Sequence, residues 1–253
     1  MIPKIIHYCW FGQGKKPYLI RKCLKSWQRV MPDYDIKEWN EDNFDINMMP
    51  FVSQAYRERK WAFVADVCRF YACYHEGGIY LDTDVEVFRR FDEFLNDNFF
   101  IGTEVQSQKG GVDNVISIDA SVFGCEQGNK FALECLNFYH DKSFYLPDGK
   151  ITGGTVQAVA TRIIKSYGYI QENKRQFIKE WGGINIYPTA FFTNVTEYRD
   201  RKDSIYSLHH FDGSWVDKSN RGFIYKFCRR YDLMRFYNYA ERVFQRYKFN
   251  LKK

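Results

Sequence analysis

Residues 66–86, DVCRFYACYHEGGIYLDTDVE, constrain this chain more than any other stretch. Phe63, Val67, Phe70 and Tyr74 recur at helical spacing and form one apolar face. Asp66 and Arg69 stand three residues apart on a neighbouring face, so both side chains can reach one ligand. Gly77-Gly78 stops the helix, since glycine adopts the left-handed cap that other residues resist. Ile79, Tyr80 and Leu81 then form a short apolar strand, and its end carries Asp82-Thr83-Asp84. Two carboxylates spaced by one residue at a strand end can converge on one hard cation. In open α/β sheets ligands bind beyond the carboxyl ends of the strands, which is where this pair falls.

The flanking sequence predicts an α/β sandwich. Strands are expected at 4–11, 36–39, 99–104, 116–124, 184–187 and 204–209, with helices at 19–29, 51–59, 130–140 and 156–167. Strands alternating with helices point to a mostly parallel central sheet. At 253 residues the chain suffices for one large domain, and it contains no internal repeat or dividing linker. Trp10 falls near the end of the first strand, placed either to stack on a base or to fill the core. Residues 150–155, KITGGT, open a helix with a Gly-Gly whose backbone N–H groups could approach a sugar or phosphate. His209 and His210 sit at a strand end before Asp212-Gly213-Ser214-Trp215. Alternation along that strand points the two imidazoles to opposite faces, so only one reaches the site; His209 is slightly favoured.

Three ordered blocks carry a resemblance across residues 2–217. They are IPKIIHYCWFG; D-x-x-R followed after seven residues by GGIYLDTD; and HHFDGSW. The set resembles the sugar-binding DXD glycosyltransferases of family 32, which are similar to the glucosylating domains of large clostridial toxins. The resemblance implies a GT-A type fold, with a Rossmann-like, mostly parallel central sheet flanked by helices. It implies a retaining, metal-dependent transfer of a hexose or N-acetylhexosamine from a UDP-sugar to a saccharide acceptor. On this reading Asp66, Arg69, Asp82 and Asp84 are catalytic, and Asp66 and Arg69 hold the donor sugar. Trp10 stacks on uracil, Tyr80 lines the donor pocket, and Ser214 and Trp215 close over the diphosphate. Asp82, Asp84 and one or both of His209 and His210 hold Mn²⁺ or Mg²⁺, consistent with hard oxygen ligands. Gly154 departs from the family's usual Thr-Gly-Pro. Bacterial members commonly build surface polysaccharides such as capsule, O-antigen or exopolysaccharide on lipid carriers, so a lipid-linked acceptor is expected.

Charge divides the chain in two. Residues 218–253 hold 11 Lys+Arg against 2 Asp+Glu, a balance of +9, while the remainder stands at −3. The division expected is a catalytic domain over 1–217 and a basic, aromatic-rich helical tail over 218–253. That tail either packs on the body or lies on an anionic membrane surface. The seven cysteines include no C-x-x-C pair and read as buried thiols of a reducing compartment. No stretch approaches 18 apolar residues, so a cytoplasmic protein, peripheral on the inner membrane face, is expected. The acidic balance of the body argues against nucleic acid as partner. Two other classes fit some of the residues. A metal-dependent phosphohydrolase or nucleotidyltransferase would use the same carboxylates, and a non-catalytic carbohydrate-binding protein would use the aromatics.

Overall fold

The computed structural model describes residues 1–106, 115–192 and 205–212. A seven-stranded sheet runs through the molecule in the order β2-β1-β3-β6-β5-β8-β7. Its members are β1 (Ile5–Cys9), β2 (Asp35–Trp39), β3 (Gly78–Leu81), β5 (Phe99–Gln106), β6 (Val115–Cys125), β7 (Gln176–Ile178) and β8 (Ile184–Tyr187). A second, two-stranded sheet joins β4 (Val85–Val87) antiparallel to β9 (Ser207–His209). Five helices accompany them among the described residues: α1 (Tyr18–Val30), α2 (Pro50–Arg57), α3 (Trp61–Glu76), α4 (Lys130–Asn137) and α5 (Val156–Lys165). No helix among these residues is long and apolar enough to cross a membrane.

The α/β architecture expected from the sequence is present, and the main sheet is mixed. β1 pairs in parallel with β2 and β3, and β5 with β8. β3 with β6, β5 with β6, and β7 with β8 are antiparallel. The cause is connectivity. Parallel neighbours need a crossover of a dozen or more residues, and the link from Gln106 to Val115 is shorter than that.

Both faces of the sheet are covered, and side chains alternate between them along each strand. Tyr80, Phe99 and Ile101 face the core built with α2, α3, α4 and α5, where Phe51, Phe70, Phe131 and Val159 are buried. Ile79, Leu81 and Phe100 face the opposite core with Trp27, Val85, Phe91 and Phe94. All four residues of β3 are buried, as expected of a central strand with both faces packed. Trp27 Nε1–H donates to the Val85 carbonyl (2.8 Å) and pins α1 across β4.

The double glycine between α3 and β3 is required twice over. Gly77 caps α3 at φ +67° and Gly78 follows at φ +105°, a backbone region that L side chains avoid. A Cβ on Gly78 would also lie 2.7 Å from the Ile5 carbonyl oxygen. The chain therefore turns from helix to central strand within two residues, and delivers Asp82 to the sheet's carboxyl edge.

Candidate active site

α3, β3 and the loop after it converge on one cavity of about 850 Å³. Trp10 and Trp61 are among its lining residues, together with the polar Asp66, Arg69, Tyr80, Asp82, Asp84 and His209. The sequence places Asp66 and Arg69 on one helix face, and the structure joins them. Arg69 Nη2 lies 2.8 Å from Asp66 Oδ1 and 3.3 Å from Asp82 Oδ1. Arg69 Nη1 donates to the Ala120 carbonyl (2.7 Å), and the guanidinium lies over the Tyr80 ring, 4.7 Å from its centroid. Tyr80 donates its hydroxyl to Asp82 Oδ1 (2.9 Å). The guanidinium is thus held in place before any ligand arrives.

Beyond Asp82 the chain turns, with Val85 N–H donating to the Asp82 carbonyl (2.9 Å), and enters β4. That turn brings Asp84 beside β9. Ligand atoms of Asp82, Asp84 and His209 all lie within 4.8 Å of one another. His209 Nε2 is 3.3 Å from Asp84 Oδ1, and Asp212 N–H donates to Asp84 Oδ2 (2.8 Å). His210 turns the other way and lies 3.0 Å from Glu86 Oε2, a carboxylate shared with Lys22 (3.1 Å). Of the two adjacent histidines, then, His209 joins the carboxylates and His210 does not, which corrects the inclusion of His210 among the expected metal ligands. The cause is the two-residue alternation of β9, which carries one imidazole to each side.

Burial and neighbours push these groups apart. Burial raises the Asp66 carboxyl to about 7, against the lowering pull of Arg69. Asp82 is raised as well, by burial more than Arg69 and His209 offset. Burial would also raise Asp84, but the charge and hydrogen bond of His209 overcome it and hold Asp84 at about 2. For His209, burial acts downward and is outweighed by Asp84, so its pKa rises to about 10. Two carboxylates and an imidazole, hard oxygens with one borderline nitrogen, are a donor set that fits a divalent cation.

Trp10 is half-buried at the cavity edge, where its Nε1–H donates to the Gly14 carbonyl (2.7 Å). The segment Gly153-Gly154 leads into the N-terminus of α5, capped by the Thr155 side chain. Thr155, Val156 and Gln157 line the cavity there, and the Val156 backbone exerts a small lowering pull on the Asp66 carboxyl. The expected lid residues Ser214 and Trp215, the tail over 218–253, and the boundary at 217 lie outside the described residues.

Several residues at the site went unread in the sequence. Glu104 is buried, lines the cavity and accepts a hydrogen bond from Ser117 (3.3 Å). Its only sequence signal is a charge at the end of the apolar run FFIGTE. Trp61 lines the cavity too, and its ring would lie 2.6 Å from a Cβ on Gly12. Arg59 and Lys60, just before α3, also border the cavity. Nothing in the local pattern of those residues distinguishes them from an ordinary helix start.

Part of the chain is similar to a known family. Residues 17–101 match the family model described as a glycosyltransferase sugar-binding region containing a DXD motif. That segment includes Asp66, Arg69 and the Asp82-Thr83-Asp84 motif. A mannosyl phosphorylinositol ceramide synthase of Saccharomyces cerevisiae is 24% identical over 217 residues, covering 82% of this chain and 51% of its own. An inositol phosphoceramide mannosyltransferase of Schizosaccharomyces pombe is 29% identical over 137 residues, covering 53% of this chain and 36% of its own. The chain thus spans about half the length of the first relative and about a third of the second. Among solved structures, a glycosyltransferase involved in glycosylating the major capsid of PBCV-1 aligns with a TM-score of 0.46 at 13% identity, covering 87% of this chain and 97% of its own. The galactosyltransferase LgtC, in complex with donor and acceptor sugar analogues, aligns at 0.39 and 13%, covering 87% and 84%.

Proposed function

We propose that this chain is a retaining, divalent-metal-dependent glycosyltransferase that moves a hexosyl group from a nucleoside diphosphate sugar to a lipid-linked acceptor. One observation carries the reading. Asp66, Arg69 and Asp82 form a continuous bonded chain that meets the Asp82, Asp84 and His209 cluster inside a single cavity. A phosphohydrolase needs the metal cluster alone, whereas the fixed carboxylate–guanidinium pair beside it suits the hydroxyls of a sugar.

Each residue then has a task. Asp82, Asp84 and His209 hold the cation. Bound there, a divalent cation supplies the positive charge that offsets the diphosphate leaving group. Asp66 and Arg69 orient the sugar, and Trp10 stacks on the base at the far side of the cavity. The N-terminus of α5 adds backbone N–H groups and a positive dipole end beside the same sugar. Asp66, raised to about 7, is present in both protonation states near neutrality and so can accept from or donate to a sugar hydroxyl.

Sequence resemblance favours a UDP-sugar donor, and the names of the two yeast relatives add a mannosyl donor to those worth trying. Those names also describe a lipid, inositol phosphoceramide, as the relatives' acceptor, which adds lipid acceptors to the lipid-linked saccharides worth trying. The test is donor cleavage without acceptor. The protein is incubated with Mn²⁺ and UDP-glucose, UDP-galactose, UDP-N-acetylglucosamine or GDP-mannose, and free sugar and nucleoside diphosphate are measured. Slow, metal-dependent release of both from one donor is expected. Release of phosphate or pyrophosphate with no free sugar would assign a phosphohydrolase or nucleotidyltransferase instead.

A further inference from the structure

β6 carries an irregularity directly behind the site. Along its ladder with β5 the register jumps from Ile101↔Phe123 to Gly102↔Asp119. Ala120, Ser121 and Val122 are therefore extra residues with no partner on β5. Such bulges bend a strand and re-aim the groups it carries, and they concentrate beside active sites.

Here the re-aimed groups are carbonyls. β3 pairs with β6 as far as Leu81↔Val122, and the next residue, Asp82, donates its N–H to the Ser121 carbonyl (2.8 Å). The Ala120 carbonyl accepts from Arg69 Nη1 (2.7 Å). Two consecutive carbonyls of the bulge thus hold the guanidinium and the backbone of the first carboxylate residue. Asp119 closes the bulge, because its Oδ1 accepts the Ser121 N–H (2.9 Å). Asp119 is fully buried and is not among the cavity-lining residues. Ser121 Oγ is buried with no hydrogen-bond partner among the described residues. A buried hydroxyl without a partner disfavours folding, so stability alone does not account for this arrangement.

We propose that Asp119 is a positioning residue for the reaction: by holding the Ser121 N–H it sets the bulge whose Ala120 and Ser121 carbonyls aim Arg69 and Asp82 into the cavity. The inference rests on the glycosyltransferase reading above, and Asp119 itself touches no substrate.

The experiment compares wild type with D119N, D119A and S121A. It reads kcat for Mn²⁺-dependent donor hydrolysis, affinity for the free nucleoside diphosphate by calorimetry, and the thermal midpoint. D119N keeps an amide oxygen able to accept the same N–H, so its kcat is expected within about threefold of wild type. D119A has no acceptor there, and its kcat is expected to fall at least about tenfold, on the scale of misplaced catalytic geometry. Its affinity for the free nucleoside diphosphate, which lacks the sugar, should stay within about threefold. S121A keeps the backbone and removes only the unpaired hydroxyl, so wild-type kcat and an unchanged or higher midpoint are expected. Wild-type kcat in D119A, a tenfold loss in folded D119N, or a tenfold loss in S121A would each overturn the proposal. If D119A fails to fold, D119N and S121A decide it alone. A wild-type protein that cleaves no donor would bring down the glycosyltransferase reading beneath it.

Discussion

Asp84 tests the site at the scale of one residue. It faces His209 on one oxygen and the Asp212 N–H on the other, and it stays ionised at about 2. D84A should lower kcat for donor cleavage by about 10²- to 10³-fold, the range seen when one preorganised electrostatic contact to developing charge is removed. Stability should fall as well, because D84A leaves the buried His209 without the carboxylate that pairs with it. The check is kcat under saturating donor and Mn²⁺ together with a melting curve; a D84A/D82A double variant with wild-type turnover would contradict the metal site. Trp10 tests the donor end. A base stack is made equally in ground and transition states, so W10A should weaken donor affinity and leave kcat at saturation nearly intact. Stacking on an aromatic is worth ~1–3 kcal/mol, or roughly 5- to 150-fold in affinity. Calorimetry with the free nucleoside diphosphate measures it, and unchanged binding would make Trp10 a packing residue. At this scale Asp66, Arg69, Asp82, Asp84 and the choice of His209 over His210 were legible, because helix spacing and strand alternation are local rules. Glu104 and Trp61 were not, since only the packing of elements distant in sequence brings them to one cavity.

Among elements, the unit of α3, Gly77-Gly78 and β3 was readable because each part carries its own signal: an apolar face, a glycine stop and a buried run. The sheet reads as mostly parallel and five of its seven strands do run one way; the reversal of β6 is the detail left unread, although the short link from Gln106 to Val115 already requires an antiparallel pair. The joint between β1, β2 and α3 was missed too, and it carries a pH dependence. Trp39 Nε1–H donates to His7 Nδ1 (3.0 Å), and indole can only donate, so Nδ1 is the acceptor. His7 Nε2–H therefore donates to the Gly77 carbonyl (2.7 Å), which ties β1 to the end of α3. Burial lowers the His7 pKa below its usual 6.5, partly offset by that carbonyl. The folded state thus keeps His7 neutral, while the unfolded chain takes up a proton as pH drops below 6.5. Stability from this residue is complete above that pH and declines below it. H7Q should be less stable than wild type at pH 7.5 and should lose less between pH 7.5 and pH 5.5. Urea midpoints at the two pH values give the comparison, and an identical loss in both proteins would show that His7 does not carry the effect.

At the scale of the whole molecule, charge is segregated rather than spread. Residues 218–253 carry a balance of +9, and the rest of the chain −3. A body of nearly balanced charge joined to a strongly basic segment is expected to bind anionic surfaces through that segment alone. Each basic side chain held near an anionic bilayer contributes about 1 kcal/mol, so half of the tail's charges suffice for attachment. Shielding with salt weakens it, since the Debye length falls from about 10 Å at 0.1 M to about 3 Å at 1 M. Such attachment would bring the cavity to the lipid-linked acceptor proposed above. The full chain should co-sediment with liposomes containing anionic lipid at low salt and leave them at high salt, whereas a truncation after residue 221 should remain in the supernatant in both. Neutral liposomes should retain neither protein. Equal partitioning of the full chain and the truncation on anionic liposomes at low salt would defeat the membrane reading. Precipitation of the truncation alone, with the full chain free of liposomes, would assign the aromatic tail to packing against the catalytic body.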